Sequence, residues 1–248
     1  MEKSIKRIAK DIHEITKNNL EKEGIFFIHS EKNIFEGITL IMGPENTPYE
    51  FGIYCFKIIF PNNYPINPPK VIFLSNDTFN TRYNPNFYRD GKVCISLLNT
   101  WKGESWTSCC TLKSILLVLQ SVMNSQPLLN EPGVQLEKNF NDIKIYSDII
   151  SYRNLSFNLI NFIKILEPNT FSIEIPGEII QKIKFYIKNN KKNILSKINF
   201  LLKEFENEYN VKFTSSNHIN INTSFYKMSC SLNYLILKKD FNNFIKNI

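Results

Sequence analysis

Four short runs rich in β-branched and aromatic residues follow one another near the start of the chain: Ile25–Ile28, Phe35–Met42, Gly52–Phe60 and Val71–Leu74. Their connectors are residues 29–34, 43–51 and 61–70. A crossover to a parallel neighbour needs about a dozen residues or more, so these runs are expected to pair in sequence as an antiparallel meander. The last connector carries Pro61, Pro65, Pro68 and Pro69. Proline has no N–H and a fixed φ, so this stretch must end the third strand in a stiff loop.

Around the strands the apolar period becomes helical. From Ser4 to about Asn19, Ile5, Ile8, Ala9, Ile12 and Ile15 share a stripe, with Lys3, Lys6, Arg7 and Lys10 off it. Thr111–Asn124 is apolar over a wide arc (Leu112, Ile115, Leu116, Leu119, Val122, Met123), which predicts the central helix against the sheet. Further helices are predicted at Lys138–Tyr152, Leu155–Leu166, Pro176–Asn189 and Lys191–Tyr209. Ala9 is the only alanine, so these assignments rest on pattern rather than propensity. After Val211 apolar and polar residues alternate without a dependable period. Asn76–Trp106 shows no period at all, and a long irregular stretch inside a compact domain usually serves function.

Composition narrows the chemistry. Five cysteines, Cys55, Cys94, Cys109, Cys110 and Cys230, form no C-x-x-C pair, which argues against a zinc site and suits a reducing compartment. The histidines are His13, His29 and His218, none spaced to serve Cys94 as a local base, so a Cys-His hydrolase is disfavoured. The longest aliphatic run, Ile115–Leu119, cannot span a bilayer, and the N-terminus lacks a signal-peptide pattern. A soluble protein of cytoplasm or nucleus, without membrane partners, is the expectation. The net charge of +7 favours acidic partners. Its lysines are scattered among Asn, Ile and Phe, so nucleic acid is not the expected one.

The run Asn84-Pro85-Asn86-Phe87-Tyr88-Arg89-Asp90-Gly91-Lys92-Val93-Cys94-Ile95-Ser96 resembles the active-site segment of ubiquitin-conjugating enzymes, where His-Pro-Asn precedes a Gly-containing turn and the catalytic cysteine. Other pieces fall in the family's order: Gly43-Pro44, Thr47-Pro48-Tyr49-Glu50 and Gly52, the proline loop Tyr64–Lys70, Trp106, a helix, and Asn130-Glu131-Pro132-Gly133. Asn84 stands where most members have His. Large atypical members share Asn-Pro-Asn, a longer loop before the tryptophan (here Leu98–Trp106), and a helical C-terminal extension.

The resemblance implies an α/β (α+β) fold of the UBC type: a four-stranded antiparallel meander on a long central helix, with N- and C-terminal helices. A conjugating core over residues 3–166 and a mostly helical extension over 167–248, of no assigned role, are expected. The resemblance implies that Cys94 is the nucleophile, carrying ubiquitin as a thioester. A thiolate makes that bond, and the irregular segment is expected to expose it. Lys92 is a candidate for favouring the thiolate. Asn86 is implied to stabilise the oxyanion, or else to brace the loop. Glu131 is implied as a gate for the incoming lysine, and Tyr83 as an aromatic lining the same approach. Lys6 and Arg7 are implied to face the activating enzyme, and Ile66, Ser108 and Cys109 to touch ligases. The implied partners are ubiquitin or a ubiquitin-like modifier, the activating enzyme, a ligase and protein substrates. No metal or cofactor is expected, ATP being used by the upstream enzyme. A carrier for another modifier and a noncatalytic ubiquitin-binding scaffold are the alternatives.

Overall fold

The structure is a computed structural model, and it describes residues 1–162, 166 and 173–248. Strands β1 (Ile25–His29), β2 (Glu36–Met42), β3 (Ile53–Ile59) and β4 (Lys70–Phe73) form one sheet in sequence order. All three pairings are antiparallel, with Ile25 opposite Ile41, Thr39 opposite Phe56, and Phe56 opposite Phe73. The expected meander is therefore present, and its ends lie within one residue or so of the apolar runs.

Helix α1 (Glu2–Lys17) buries Ile8 and Ile15. Helix α2 (Leu112–Ser121) is shorter than the apolar arc suggested. Its start is fixed by a capping box, in which the Thr111 hydroxyl accepts from the Ser114 N–H at 3.3 Å and Ser114 Oγ accepts from the Thr111 N–H at 3.0 Å. Leu112, Ile115, Leu116 and Leu119 are fully buried in the same core as Ile38, Leu40, Tyr54 and Phe56 of the sheet. Helix α3 (Leu136–Arg153) kinks at Asn139 and runs on into a π-helical turn over Asn154–Leu159.

That turn is pinned to the sheet. Asn154 Oδ1 accepts from the Tyr54 hydroxyl at 2.6 Å, and its Nδ2 donates to the Glu50 carbonyl at 2.8 Å. The approach is close enough to demand glycine at 52: a Cβ there would lie 1.7 Å from Asn154 Oδ1. The predicted helix Leu155–Leu166 and the expected boundary at Glu167 fall partly outside the described residues.

Two helices, α4 (Gly177–Asn189) and α5 (Lys191–Glu208), lie where the helical period predicts them. The tail departs from expectation. It forms a hairpin, β5 (Ile219–Thr223) and β6 (Met228–Leu232), followed by helix α6 (Tyr234–Asn247). Both hairpin strands alternate buried and exposed from end to end, Ile219, Ile221, Thr223, Met228, Cys230 and Leu232 facing inward. Five residues are too few for period two to stand out in a chain so rich in Asn and Ser. The later segments contact the earlier ones through Lys197–Glu50 at 2.5 Å, Lys182–Glu21 at 2.9 Å, Lys144–Glu208 at 2.8 Å and the Thr223 hydroxyl on Asp142 at 2.9 Å. Among the described residues no helix is long and apolar enough to cross a membrane.

Candidate functional site

The segment around Cys94 is a miniature hairpin mounted on the sheet. The Tyr88 N–H donates to Lys92 O at 2.8 Å and the Gly91 N–H to Tyr88 O at 3.0 Å, with Gly91 at φ 87°. Asp90 Oδ1 takes the Lys92 N–H at 2.9 Å. Asp90-Gly91-Lys92 is thus a turn with its chemistry in order: a carboxylate to close it and a glycine for the left-handed position. The Gly91 carbonyl accepts from the Phe73 N–H at 2.8 Å, tying the turn to β4. Phe87 seats the other arm, 5.1 Å from Phe56 and 5.2 Å from Phe73, ring to ring.

Cys94 and Asn86 face each other across this hairpin and bond twice. The Cys94 N–H donates to Asn86 O at 2.9 Å, and Asn86 Nδ2 donates to Cys94 O at 2.6 Å. One of the two amide hydrogens is therefore committed to bracing the loop, and the second has no partner among the described residues. Asn86 Oδ1 is buried with no partner among the described residues. Asn84 supports the pair from behind. Its Oδ1 accepts from the Asn86 N–H at 2.9 Å, while its Nδ2 reaches the Tyr49 hydroxyl and the Val122 carbonyl, both at 2.8 Å. Asn130 Nδ2 donates to the same Val122 carbonyl at 2.9 Å, which brings the segment of Glu131 to this loop.

Three expectations need correction. Cys94 is not openly displayed: it is 2% exposed, because the paired arms of the hairpin carry it inward from the turn. A groove of about 600 Å³ flanks the hairpin along Ile72, Asp90–Val93 and Thr100, yet Cys94 does not line it. Tyr83 does not line an approach. It is fully buried, its hydroxyl donates to Asp77 at 2.9 Å and its carbonyl accepts from Tyr49; it lies in a run, Thr81–Phe87, that is buried at every position. Arg7 is not a free surface cation. Its Nε meets Asp11 at 2.8 Å, and its Nη1 and Nη2 donate to the carbonyls of Ser108 at 2.8 Å and Cys110 at 2.5 Å.

Lys6 is exposed and pairs with Glu2 at 2.7 Å. Ile66 is 71% exposed at the tip of the proline loop, and Ser108 and Cys109 are exposed on the neighbouring loop. Trp106 joins those two loops, its Nε1 donating to Pro65 O at 2.8 Å with its ring 5.8 Å from Tyr64. Beneath them lies Asp11, 1% exposed, accepting from Arg7, from the Tyr64 hydroxyl and from the Leu112 N–H. Burial and that carboxylate push the Tyr64 hydroxyl well above its ordinary pKa, so it stays a donor. Lys92 is exposed, 5.5 Å from the Tyr88 ring. Burial raises the thiol of Cys55 and pushes that of Cys230 up to about 11, so neither is a ready nucleophile.

Sequence reasoning missed Arg82. Its guanidinium lies 3.4 Å from the centroid of Tyr88 and 4.9 Å from that of Tyr226, and donates to Asn84 O at 3.1 Å and Pro85 O at 2.7 Å. Nothing in the sequence singles it out, since one ring comes from the tail. Glu131 is half-buried, and its Oε2 accepts from the Tyr226 hydroxyl at 2.5 Å.

Comparison with known proteins gives a consistent result. The family model described as ubiquitin-conjugating enzyme matches residues 7–144. The chain is 39% identical over 149 residues to ubiquitin-conjugating enzyme E2 Z of Xenopus tropicalis, covering 60% of this chain and 47% of that protein. It is 38% identical over 149 residues to human E2 Z, covering 60% and 42%. Over 101 residues, 39% of this chain and 2% of the other, it is 42% identical to the human dual E2 ubiquitin-conjugating enzyme/E3 ubiquitin-protein ligase BIRC6. The chain thus spans less than half the length of the relatives it matches.

Proposed function

The chain belongs to the ubiquitin-conjugating enzyme family, and from that premise we propose that Cys94 carries ubiquitin as a thioester between an activating enzyme and an acceptor amine. The observation that carries the reading is the reciprocal bonding of Asn86 and Cys94 within one sheet-mounted hairpin. It fixes the cysteine's backbone beside an amide with one uncommitted hydrogen.

In the first half-reaction the Cys94 thiolate attacks the carbonyl of the incoming thioester. A new C–S bond forms, the old one breaks, and the activating enzyme's cysteine leaves as thiolate. In the second, a lysine amine or a ligase thiolate attacks the same carbonyl. The carbonyl oxygen becomes negative, the C–S bond breaks, and Cys94 departs as thiolate while an attacking amine gives its proton to water. An amide hydrogen held at the oxyanion typically contributes about 2.7–4 kcal/mol in sites built around it, and the free hydrogen of Asn86 is the candidate here. Glu131 is the candidate carboxylate for drawing in the acceptor ammonium. The proposed docking surface for activating enzyme and ligase comprises Lys6, Ile66, Ser108 and Cys109, with Arg7 bonded to the loop on either side of Cys109, at Ser108 O and Cys110 O. ATP is used upstream, and this chain needs no cofactor of its own. The site of action proposed is cytoplasm or nucleus.

The test is charging with activating enzyme, ATP and ubiquitin, comparing wild type with Cys94→Ser on a non-reducing gel. A reducer-labile adduct is expected in wild type, and a stable ester or nothing in the variant. Charging by another modifier alone would assign a different cargo. The near-complete burial of the thiol keeps a second reading in play, a scaffold that binds ubiquitin without accepting it, and absence of any adduct would favour that.

A further inference from the structure

We infer that Tyr226, at the tip of the C-terminal hairpin, is a positioning residue for acyl transfer: it holds the Glu131 carboxylate and, through Arg82 and Arg89, the arm that leads to Cys94. The inference rests on the acyl-carrier reading and assigns to the extension a part in the second half-reaction.

Four contacts made by the hairpin converge. The Tyr226 hydroxyl donates to Glu131 Oε2 at 2.5 Å. Its carbonyl accepts from Arg89 Nη2 at 2.5 Å. Its ring covers the Arg82 guanidinium opposite Tyr88. Two residues on, Met228 Sδ accepts from the Arg82 N–H at 3.2 Å. Arg82 precedes the Asn84-Pro85-Asn86 brace, and Tyr88 and Arg89 follow it on the arm that leads to the turn before Cys94. One side chain from the tail therefore touches both the candidate acceptor carboxylate and the supports of the candidate nucleophile.

The backbone carries an independent sign. Tyr226 and Lys227 have φ of 57° and 49°, a left-handed conformation in which a large side chain is an outlier. Glycine would relieve it at once. Strain of this kind persists where the surroundings enforce it, and it gathers at functional sites. Here the strained residue is the one that reaches Glu131. Burial and the adjacent carboxylate also push the Tyr226 hydroxyl well above its ordinary pKa, so it donates throughout the physiological range. With Oε2 held, Oε1 of Glu131 is the oxygen left to meet an incoming ammonium.

Phenylalanine at 226 keeps the ring on Arg82 and removes only the hydroxyl. The experiment loads ubiquitin onto the full chain, quantifies the thioester, and then follows its single-turnover discharge against L-lysine concentration. Tyr226→Phe is expected to lower discharge per loaded molecule about tenfold at low lysine, the effect of losing one hydrogen bond to a charged group, and to raise the half-saturating lysine concentration. Glu131→Gln should reproduce this, and the double variant should add little. Hydrolysis by water should fall much less, since water carries no positive charge to Glu131; a fold damaged at large would shift both. Wild-type discharge in Tyr226→Phe, or faster discharge, would overturn the inference while leaving the carrier reading intact. A wild-type chain that never loads would remove both.

Discussion

Two of the buried polar knots among the described residues are built in opposite ways. At the proposed docking end, a carboxylate lies at the centre: Asp11 gathers a guanidinium, a tyrosine hydroxyl and a backbone N–H. At the proposed reactive end, a guanidinium lies at the centre: Arg82 gathers two carbonyls and two aromatic faces, with no carboxylate bonded to it among the described residues. The first knot is complete within residues 7–112. The second is joined by Tyr146, whose hydroxyl donates to Arg82 O at 2.6 Å, and by Tyr226 and Met228 of the tail, more than a hundred residues away. A buried charge must be compensated wherever it lies, so the docking end can be held by the core alone, whereas the reactive end depends on the tail.

The largest effect should come from emptying the first knot. Asp11→Ala leaves Arg7, Tyr64 and the Leu112 N–H without their acceptor and should cost about 3 kcal/mol, read as a lower denaturation midpoint at unchanged slope. Arg82→Met keeps the aliphatic stem of the side chain and leaves the Pro85 carbonyl and two ring faces without the guanidinium, while Asn84 O retains the Phe87 N–H, so about 2 kcal/mol is expected. A smaller quantity discriminates best. Arg82→Met and Tyr226→Ala should couple by about 1 kcal/mol in a double-mutant cycle, while Asp11→Ala and Tyr226→Ala should be additive. Additivity in both cycles would break the comparison, because the second knot would then stand without the tail. The smallest effect has the opposite sign. Lys227→Gly should stabilise by about 0.5–1 kcal/mol through relief of the left-handed backbone, whereas Tyr226→Gly should destabilise, since it gains the same relief but loses the contacts.

The same contrast explains what could be read from sequence. The meander, α1, α4 and α5 fall within a few residues of their apolar periods because burial of one face sets both pattern and element. The turn before Cys94 is legible too, since its bonds are local: Asp90 takes the Lys92 N–H, and Gly91 and Lys92 both bond to Tyr88. Tyr83 misled because resemblance supplies a position and not a direction, and here the ring points into the core with Tyr54 and Phe73. The exposure of Cys94 misled because an irregular segment need not be an open one. Arg82 and Tyr226 left no trace, since their partners lie 137 to 146 residues off in the hydrogen bonds that join arm to hairpin, and no window of sequence spans that.

Asn84 has a consequence of another kind. Its side chain fills every place a loop anchor needs, accepting at one end and donating at the other, and it does so with a carboxamide, which neither gains nor loses a proton in water. An imidazole in this place would change charge between about pH 5 and 8 and would alter its bonding with it. The loop that holds Cys94 is thus anchored by a group indifferent to acidity, and a fall in the pH of its surroundings finds nothing to protonate at that joint.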